Sequence, residues 1–476
     1  MIKTRFAPSP TGDLHIGGLR TALYNYLFAK KNNGQFILRI EDTDQARYQE
    51  GSVEIILESL TWAGLKFDGS PTYQSRRVDI YSKYAEKLIN DGSAYYCFCS
   101  SSTLDKMRQK QMSRGVAAKY DRRCLKLSEA EIKAKLDQGE PHVIRMKVPA
   151  GKTKFKDLIR GEVEINNSEL DDQVLIKSDG YPTYHLANVV DDNEMGITHV
   201  IRAEEWLPST PKHIILYSML GWDLPEFAHI PLVLAPDKSK LSKRHGAVSV
   251  LEFKKLGYLP EALINYLALL GWNPGTDREI FSLSELEKEF SLDKVHSAGA
   301  IFDTTKLDWM NSTYIKLLDV QTLAGLCIPY LQDAKLINEQ LTANNQQYIK
   351  KVITLEQERI KKLSEIPELT EYFFKQPKYE TKLLKWKKGD LKTAKQRLEF
   401  LADQLKQIPN SNWTRNSLED LISDLIKNHD LGTGDTLWPM RAALTGREKS
   451  PSPFEIAEVL GKEKTLQRLK IAIEKL

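Results

Sequence analysis

From Leu19 to Lys31 apolar residues recur at helical spacing (Leu19, Ala22, Leu23, Tyr26, Leu27), which predicts a helix. Gly34 follows closely, where a helix C-terminus often needs glycine. Before that helix, residues 4–8 read as a short strand stopped by proline, and Gln35 to Ile40 form a second apolar strand. Strand, glycine-bearing loop, helix, strand is a βαβ unit, the opening of a parallel α/β domain. Val53 to Ala63 predicts another helix, closed by Gly64.

The pattern changes from residue 95 to 180. Residues 143–148 alternate apolar and polar, Gly161 to Ile165 and Gln173 to Lys177 are further short strands, and Ser178-Asp179-Gly180 is a turn. This segment reads as an inserted, strand-rich module. The α/β pattern then resumes, with a strand at His199 to Arg202 and a helix from Pro211 to Leu220 ended by Gly221. Beyond residue 310 strand signals nearly vanish, and 319–330, 342–364, 391–407, 416–427 and 453–475 are helical by periodicity. The echo of Leu220-Gly221-Trp222 in Leu270-Gly271-Trp272 marks two helix ends, since the flanks differ.

A length of 476 residues allows about three domains. Charged residues make up 28%, with 68 Lys plus Arg against 64 Asp plus Glu. The balance of +4 excludes a histone-like binder but not a local basic face. One such stretch exists: nine basic and two acidic residues lie between Lys375 and Arg397, with Tyr379 and Trp386 interleaved. That composition suits either a solvated helix face or one that meets nucleic acid, cations on phosphate and aromatics on splayed bases. No apolar run approaches the roughly 20 residues a membrane span needs, and the N-terminus lacks a signal-peptide core. Four cysteines exclude a disulfide-stapled scaffold and make a reducing cytoplasm the expected setting.

Two segments carry candidate phosphate chemistry. Pro8-Ser-Pro-Thr-Gly-Asp-Leu-His15-Ile-Gly17-Gly18 lies between strand and helix. Small residues there let a ligand approach the unpaired N–H groups and positive dipole end of the helix, and His15 adds a side-chain donor. Of residues 237–245, five can be cationic (Lys238, Lys240, Lys243, Arg244, His245). A run like this is either a solvated basic loop or a mobile clamp on a polyphosphate. Cys97, Cys99 and Cys124 form a third constellation, a zinc half-site plus a third thiolate, one short of the four ligands a structural zinc wants.

Together these segments resemble the signature motifs of class I aminoacyl-tRNA synthetases. His15-Ile-Gly-Gly18 stands for the His-Ile-Gly-His type sequence and Lys240-Leu-Ser-Lys243-Arg244 for Lys-Met-Ser-Lys-Ser. Arg5-Phe-Ala-Pro-Ser-Pro-Thr-Gly12, Arg39-Ile-Glu41-Asp-Thr-Asp44, Asp179 to Asn188 and Arg202-Ala-Glu-Glu205-Trp206 narrow the match to the bacterial-type glutamyl-tRNA synthetases. Gly18 in place of the second histidine is usual in that family. The resemblance implies an α/β fold: a class I Rossmann-type catalytic domain (1–90 and 181–236), an inserted connective, acceptor-binding module (91–180), and a stem-contact domain with the Lys-rich loop (237–310). An all-α anticodon-binding region completes it, as two helical subdomains (311–380 and 381–476).

The resemblance also implies roles. His15 and Lys243 are the expected catalytic groups, stabilising phosphate charge as L-glutamate and ATP form glutamyl-adenylate. Pro8, Ser9, Thr11, Gly12, His15, Gly17, Gly18, Glu205, Lys240, Lys243 and Arg244 are expected around ATP, with Mg²⁺ on the triphosphate but no legible ligand for it. Arg5, Ala7, Ser9, Glu41, Tyr184, Asn188 and Arg202 are expected around glutamate. Guanidinium forks suit carboxylates and Glu41 suits an ammonium; the alternative for Arg5 and Glu41 is a salt bridge across adjacent strands. Arg359 is the implied anticodon reader. Zinc-binding relatives commonly supply a fourth ligand where this chain has Lys126. That leaves either a site completed by His142 or a lost one.

The implied partners are tRNA(Glu) and L-glutamate, with tRNA(Gln) left open as a second acceptor, no membrane, and a monomer. The alternatives are a glutamyl-queuosine-type synthetase, which lacks a helical tail; a glutaminyl enzyme, whose anticodon region is β-rich; and a non-catalytic tRNA-binding protein, which would not require both phosphate motifs.

Overall fold

The computed structural model describes residues 1–246, 248–340, 342–387 and 389–476; the Lys243 side chain also lies outside the described residues. The chain divides into two compact units, one of residues 1–254 with 260–304 and one of 255–259 with 305–476.

In the first unit β1 (Lys3–Phe6), α1 (Ile16–Lys31), β2 (Gln35–Ile40), α2 (Ser52–Trp62) and β3 (Thr72–Tyr73) build the predicted parallel start. β2 pairs with β1 on one side, Arg5 opposite Ile37, and with β3 on the other. Gly34 does not cap α1. The left-handed residue there is Asn33 (φ 49°), and a Cβ on Gly34 would run into the Ile2 carbonyl. Glycine is required for close backbone approach, which no periodicity reveals.

Next come α3 (Val78–Asn90), β4 (Ala94–Cys97), α4 (Ser101–Met112), α5 (Glu129–Asp137), β5 (Val143–Met146), β6 (Lys152–Asp157), β7 (Gly161–Asn166) and β8 (Val174–Ile176). β4, β5 and β8 form a separate antiparallel sheet. The β6–β7 hairpin joins a different one. α6 (Tyr184–Glu194), β9 (His199–Ala203), α7 (Thr210–Leu220) and β10 (Glu226–Ile230) follow, and the second sheet runs β7-β6-β10-β9. β6 escapes a hydrophobicity reading because two of its inward residues, Thr153 and Asp157, are polar; its burial nevertheless alternates strictly.

β9 lies beside β1, where Thr198 N–H donates to the Lys3 carbonyl at 3.0 Å. The parallel order is therefore β3-β2-β1 then β9-β10, and it reverses direction between β1 and β9. In open α/β sheets that switch point, at the carboxyl ends of the strands, is where ligands bind. β11 (Val233–Leu234), α8 (Val250–Lys255), α9 (Pro260–Leu269), α10 (Leu283–Glu289) and β12 (Ala300–Ile301) complete the unit.

The second unit contains helices and no strand among its described residues: α11 (Thr304–Leu317), α12 (Val320–Asp333), α13 (Ala343–Glu356), α14 (Ile366–Phe374), α15 (Leu391–Lys406), α16 (Arg415–Asn428), α17 (Thr433–Thr445), α18 (Pro453–Leu460) and α19 (Lys462–Lys475). The predicted segment 342–364 stops at Glu356, and 453–475 is two helices parted at Gly461 (φ 79°). α14 and α17 were not predicted, and each holds a proline. Pro367 sits in a first turn, where its missing N–H costs nothing, and Pro439 is accommodated inside α17. Phe373, Leu398, Trp413 and Met440 anchor the core. Tyr379 packs partly on that core and the Trp386 ring lies tilted 4.8 Å from Trp438, so each half-buried ring has one side engaged within the unit.

Candidate functional site

A cleft of about 590 Å³ opens at the switch point. Arg5, Ala7, Ser9, His15, Gly17, Gly18, Glu41, Tyr184, Arg202, Glu205 and Lys240, eleven of the residues named from sequence, line it. Pro8, Thr11, Gly12, Asn188 and Arg244 lie off its walls. The strand ends deliver the first group: Arg5 near the end of β1, Glu41 just past β2, and Arg202 near the end of β9.

α1 begins beside β1. His15 caps it, its Nδ1 accepting the Gly17 N–H at 3.1 Å. Nδ1 is thereby unprotonated, so the neutral ring carries its proton on Nε2. The basic loop reaches this point through backbone pairing: Leu241 N–H donates to Val233 O at 3.1 Å, and Ile16 N–H to Val248 O at 2.9 Å. Lys240 forms an ion pair with Glu205 across the cleft mouth, and Arg244 donates to His245 and Ser239. The predicted role of Lys243 rests on a side chain outside the described residues.

Beneath the cleft lies a buried ionic network. Arg5 donates from Nε to Asp192 Oδ1 (3.0 Å) and from Nη2 to Asn188 Oδ1 (3.4 Å). Arg39 donates to Asp192 (2.7 Å) and Glu41 (3.2 Å). The salt bridge weighed between Arg5 and Glu41 is thus replaced by two others, Arg5–Asp192 and Arg39–Glu41. Asn188 lies off the cleft wall, where its side-chain oxygen accepts from both Arg5 and Arg39. Burial pushes the Glu41 carboxyl up to about 7, against the pull of Arg39 and Arg5. Burial also opposes charge on Asp192, but Arg5 and Arg39 hold its carboxyl below the usual range.

Arg202 has a different environment. Its Nε donates to His229 Nε2 (3.1 Å), one terminal nitrogen to Tyr184 (2.9 Å) and His213 Nδ1 (3.2 Å), and the other to Thr210 Oγ1 (2.9 Å). Trp206 lies 4.2 Å from the Tyr184 ring. Such a cleft offers guanidinium groups for carboxylates, one acid for an ammonium, and a helix N-terminus with a histidine and a lysine for phosphate.

Apart from this cleft, the Cys97, Cys99 and Cys124 sulfurs converge within 4.8 Å of one another. The Tyr120 hydroxyl lies 3.3 Å from Cys97 Sγ and 3.5 Å from Cys99 Sγ. His142 does not complete the set: its Nδ1 lies 3.0 Å from the Glu140 carbonyl and its ring packs on Tyr96 and Phe98.

A family model described as class I tRNA synthetases (E and Q), catalytic domain, matches residues 1–309, and an anticodon binding domain matches 322–473. The chain is 47% identical over 488 residues to a glutamate–tRNA ligase of Dehalococcoides mccartyi (strain CBDB1), covering all of this chain and 98% of that one. The chain belongs to the glutamate–tRNA ligase family. It is 46% identical over 487 residues to the Clostridium tetani member, again with full and 98% coverage. A crystal structure of a glutamate tRNA ligase from Elizabethkingia meningosepticum, in complex with its amino acid, superposes with a TM-score of 0.90 at 39% identity over 99% of each chain.

Several residues of this ligase-family cleft escaped sequence reasoning. Asp192, His213, His229, Thr210 and Asp157 support it from behind, as does Arg39, which sequence reasoning quoted in a motif without giving it a role. A signal for one was present: Asp191 and Asp192 are adjacent acids in the middle of an otherwise buried helix, and buried acids need partners. Tyr120 gave none. In the second unit Arg359 pairs at 3.1 Å with Glu356, a carboxylate buried in the helical core. No helix among the described residues is long and apolar enough to cross a membrane.

Proposed function

We propose that this member of the glutamate–tRNA ligase family joins L-glutamate to tRNA(Glu) in two steps. In the first, the α-carboxylate oxygen of glutamate bonds to the α-phosphorus of ATP and the bond to the β-phosphate breaks, giving glutamyl-adenylate and pyrophosphate. In the second, the 2′-hydroxyl of the terminal adenosine takes the glutamyl group and AMP leaves. No protein nucleophile is needed; positioning and charge stabilisation carry both steps.

The observation that carries this reading is the make-up of the cleft wall. Arg5, Arg202, Tyr184 and Glu41, suited to an amino acid with two carboxylates, line the same cleft as His15, Gly17, Gly18 and Lys240, suited to phosphates. His15 Nε2–H and the α1 N-terminus hold phosphate oxygens, with Ser9, Glu205 and the Lys243 loop around the nucleotide. Mg²⁺ bound with the triphosphate would neutralise phosphate charge. Zn²⁺ would be held by Cys97, Cys99 and Cys124, with Tyr120 the nearest fourth donor, and would tie the end of β4 to the segment around Tyr120 and Cys124. The helical unit would read the anticodon, Arg359 among its readers. Cysteines without disulfides fit a reducing cytoplasm, and a monomer is the expectation the family carries.

Aminoacylation of purified tRNA(Glu) and tRNA(Gln), side by side, tests the proposal. Charging of tRNA(Glu) with glutamate is expected; its absence overturns the reading. Charging of both makes tRNA(Gln) a second acceptor.

A further inference from the structure

Three adjacent strands place Asp157, His229 and Arg202 in a row. Asp157 ends β6, His229 lies on β10 and Arg202 on β9, with His229 and Arg202 directly opposite in register. All three are buried. His229 Nδ1 lies 2.6 Å from Asp157 Oδ2, and its Nε2 lies 3.1 Å from Arg202 Nε. A guanidinium nitrogen only donates, so His229 Nε2 must be the accepting nitrogen, and Nδ1 must carry the proton that Asp157 accepts. Asp157 is itself fixed by the N–H groups of Ile159 (3.0 Å) and Arg160 (2.9 Å). On the far side of Arg202 the same logic makes His213 Nδ1 an acceptor and leaves its Nε2–H to donate to His185 Nδ1 at 3.1 Å.

The consequence is electrical as well as geometric. Arg5 already faces Asp192, but among the described residues no carboxylate pairs with Arg202. Its neighbours are neutral acceptors: two imidazoles, a threonine and a tyrosine. Burial keeps His229 and His213 uncharged. Arg202 is therefore a buried positive charge whose direction is set by neutral groups and whose counter-charge is left to a ligand.

We propose that Asp157 and His229 are positioning residues for Arg202: the carboxylate fixes the imidazole tautomer, and the imidazole lone pair aims the guanidinium at a substrate carboxylate. This rests on the reading of Arg202 as part of the glutamate site. With the tautomer reversed, an N–H would face the Arg202 Nε–H and turn the fork away. Asp157→Asn can cause that reversal by donating to Nδ1, the logic by which a buried carboxylate orients a catalytic histidine in serine proteases.

The test is steady-state aminoacylation of tRNA(Glu) by the full chain with His229→Leu, His229→Gln, Asp157→Asn and Arg202→Gln, together with melting temperatures. His229→Leu and Asp157→Asn should raise the KM for glutamate about tenfold or more, since a buried donor loses its acceptor, with kcat changed far less. His229→Gln, whose amide can donate to Asp157 and accept from Arg202, should recover most of the loss even if it melts no higher than His229→Leu. A KM within twofold of the parent in His229→Leu and Asp157→Asn, while Arg202→Gln raises it steeply, overturns the proposal alone. An unchanged KM in Arg202→Gln removes the underlying reading and the proposal with it. Should His229→Leu fail to fold, Asp157→Asn and His229→Gln still decide.

Discussion

Glu41 offers a sharp test of the amino-acid part of the cleft, because its function and its cost in stability have opposite signs. The carboxyl is buried, with one hydrogen bond from Arg39 at 3.2 Å. Burial raises it from 4.5 to about 7. The folded protein thus binds this proton more tightly than the unfolded chain does. The associated stability is fully present below about pH 4.5 and is lost as pH rises through about 7. At about 1.4 kcal/mol per pH unit over that span, the loss approaches about 3 kcal/mol at pH 8. Glu41→Gln removes the titration. Relative to the parent the variant should gain stability from pH 5 to pH 8, up to that ceiling, while losing affinity for glutamate because nothing is left to meet the ammonium. In the parent, the KM for glutamate should fall as pH rises from 6 to 8 and Glu41 acquires its charge. Urea unfolding at pH 5, 6, 7 and 8, with glutamate titrations in parallel, reads both effects. A stability difference between variant and parent that stays constant with pH would refute the argument.

Gly34→Ala should cost about 1–3 kcal/mol by forcing a Cβ against the Ile2 carbonyl, whereas Asn33→Gly, at φ 49°, should be close to neutral; equal melting temperatures for the Gly34→Ala variant and the parent would count against the close approach. Purified protein should hold nearly one zinc per chain, with Tyr120→Phe weakening retention under chelation; less than about 0.1 zinc per chain would mean the three thiols are a vestige, since a closed structural site should be nearly filled. Lys243→Ala should lower the activation rate about 10²–10³-fold with little change in glutamate binding, and pyrophosphate exchange measured with tRNA present would expose an error here if the two rates match.

The βαβ opening, the resumed α/β pattern and the helical tail were legible because each rests on a local period of hydrophobicity, which the chain writes directly into its sequence. On the ligand side, the phosphate segments around His15 and Lys240 were legible as short runs of particular residue types, whereas Arg5, Glu41 and Arg202 were singled out only through the family resemblance; all five reached the cleft wall. Their partners were not legible. Asp192 is 187 residues from Arg5, and Asp157 is 72 from His229; only folding brings such pairs within hydrogen-bond distance, and no local pattern encodes the choice. The same holds for Gly34, whose need for a missing side chain comes from a strand neighbour, and for β6, whose inward face is partly polar because it carries Asp157 into the sheet. Sequence determined which groups could do the chemistry. The tertiary structure decided which of them share a buried counter-ion, as Arg5 shares Asp192 with Arg39, and which face neutral groups alone, as Arg202 does, because a buried charge takes its character from whatever the fold sets beside it.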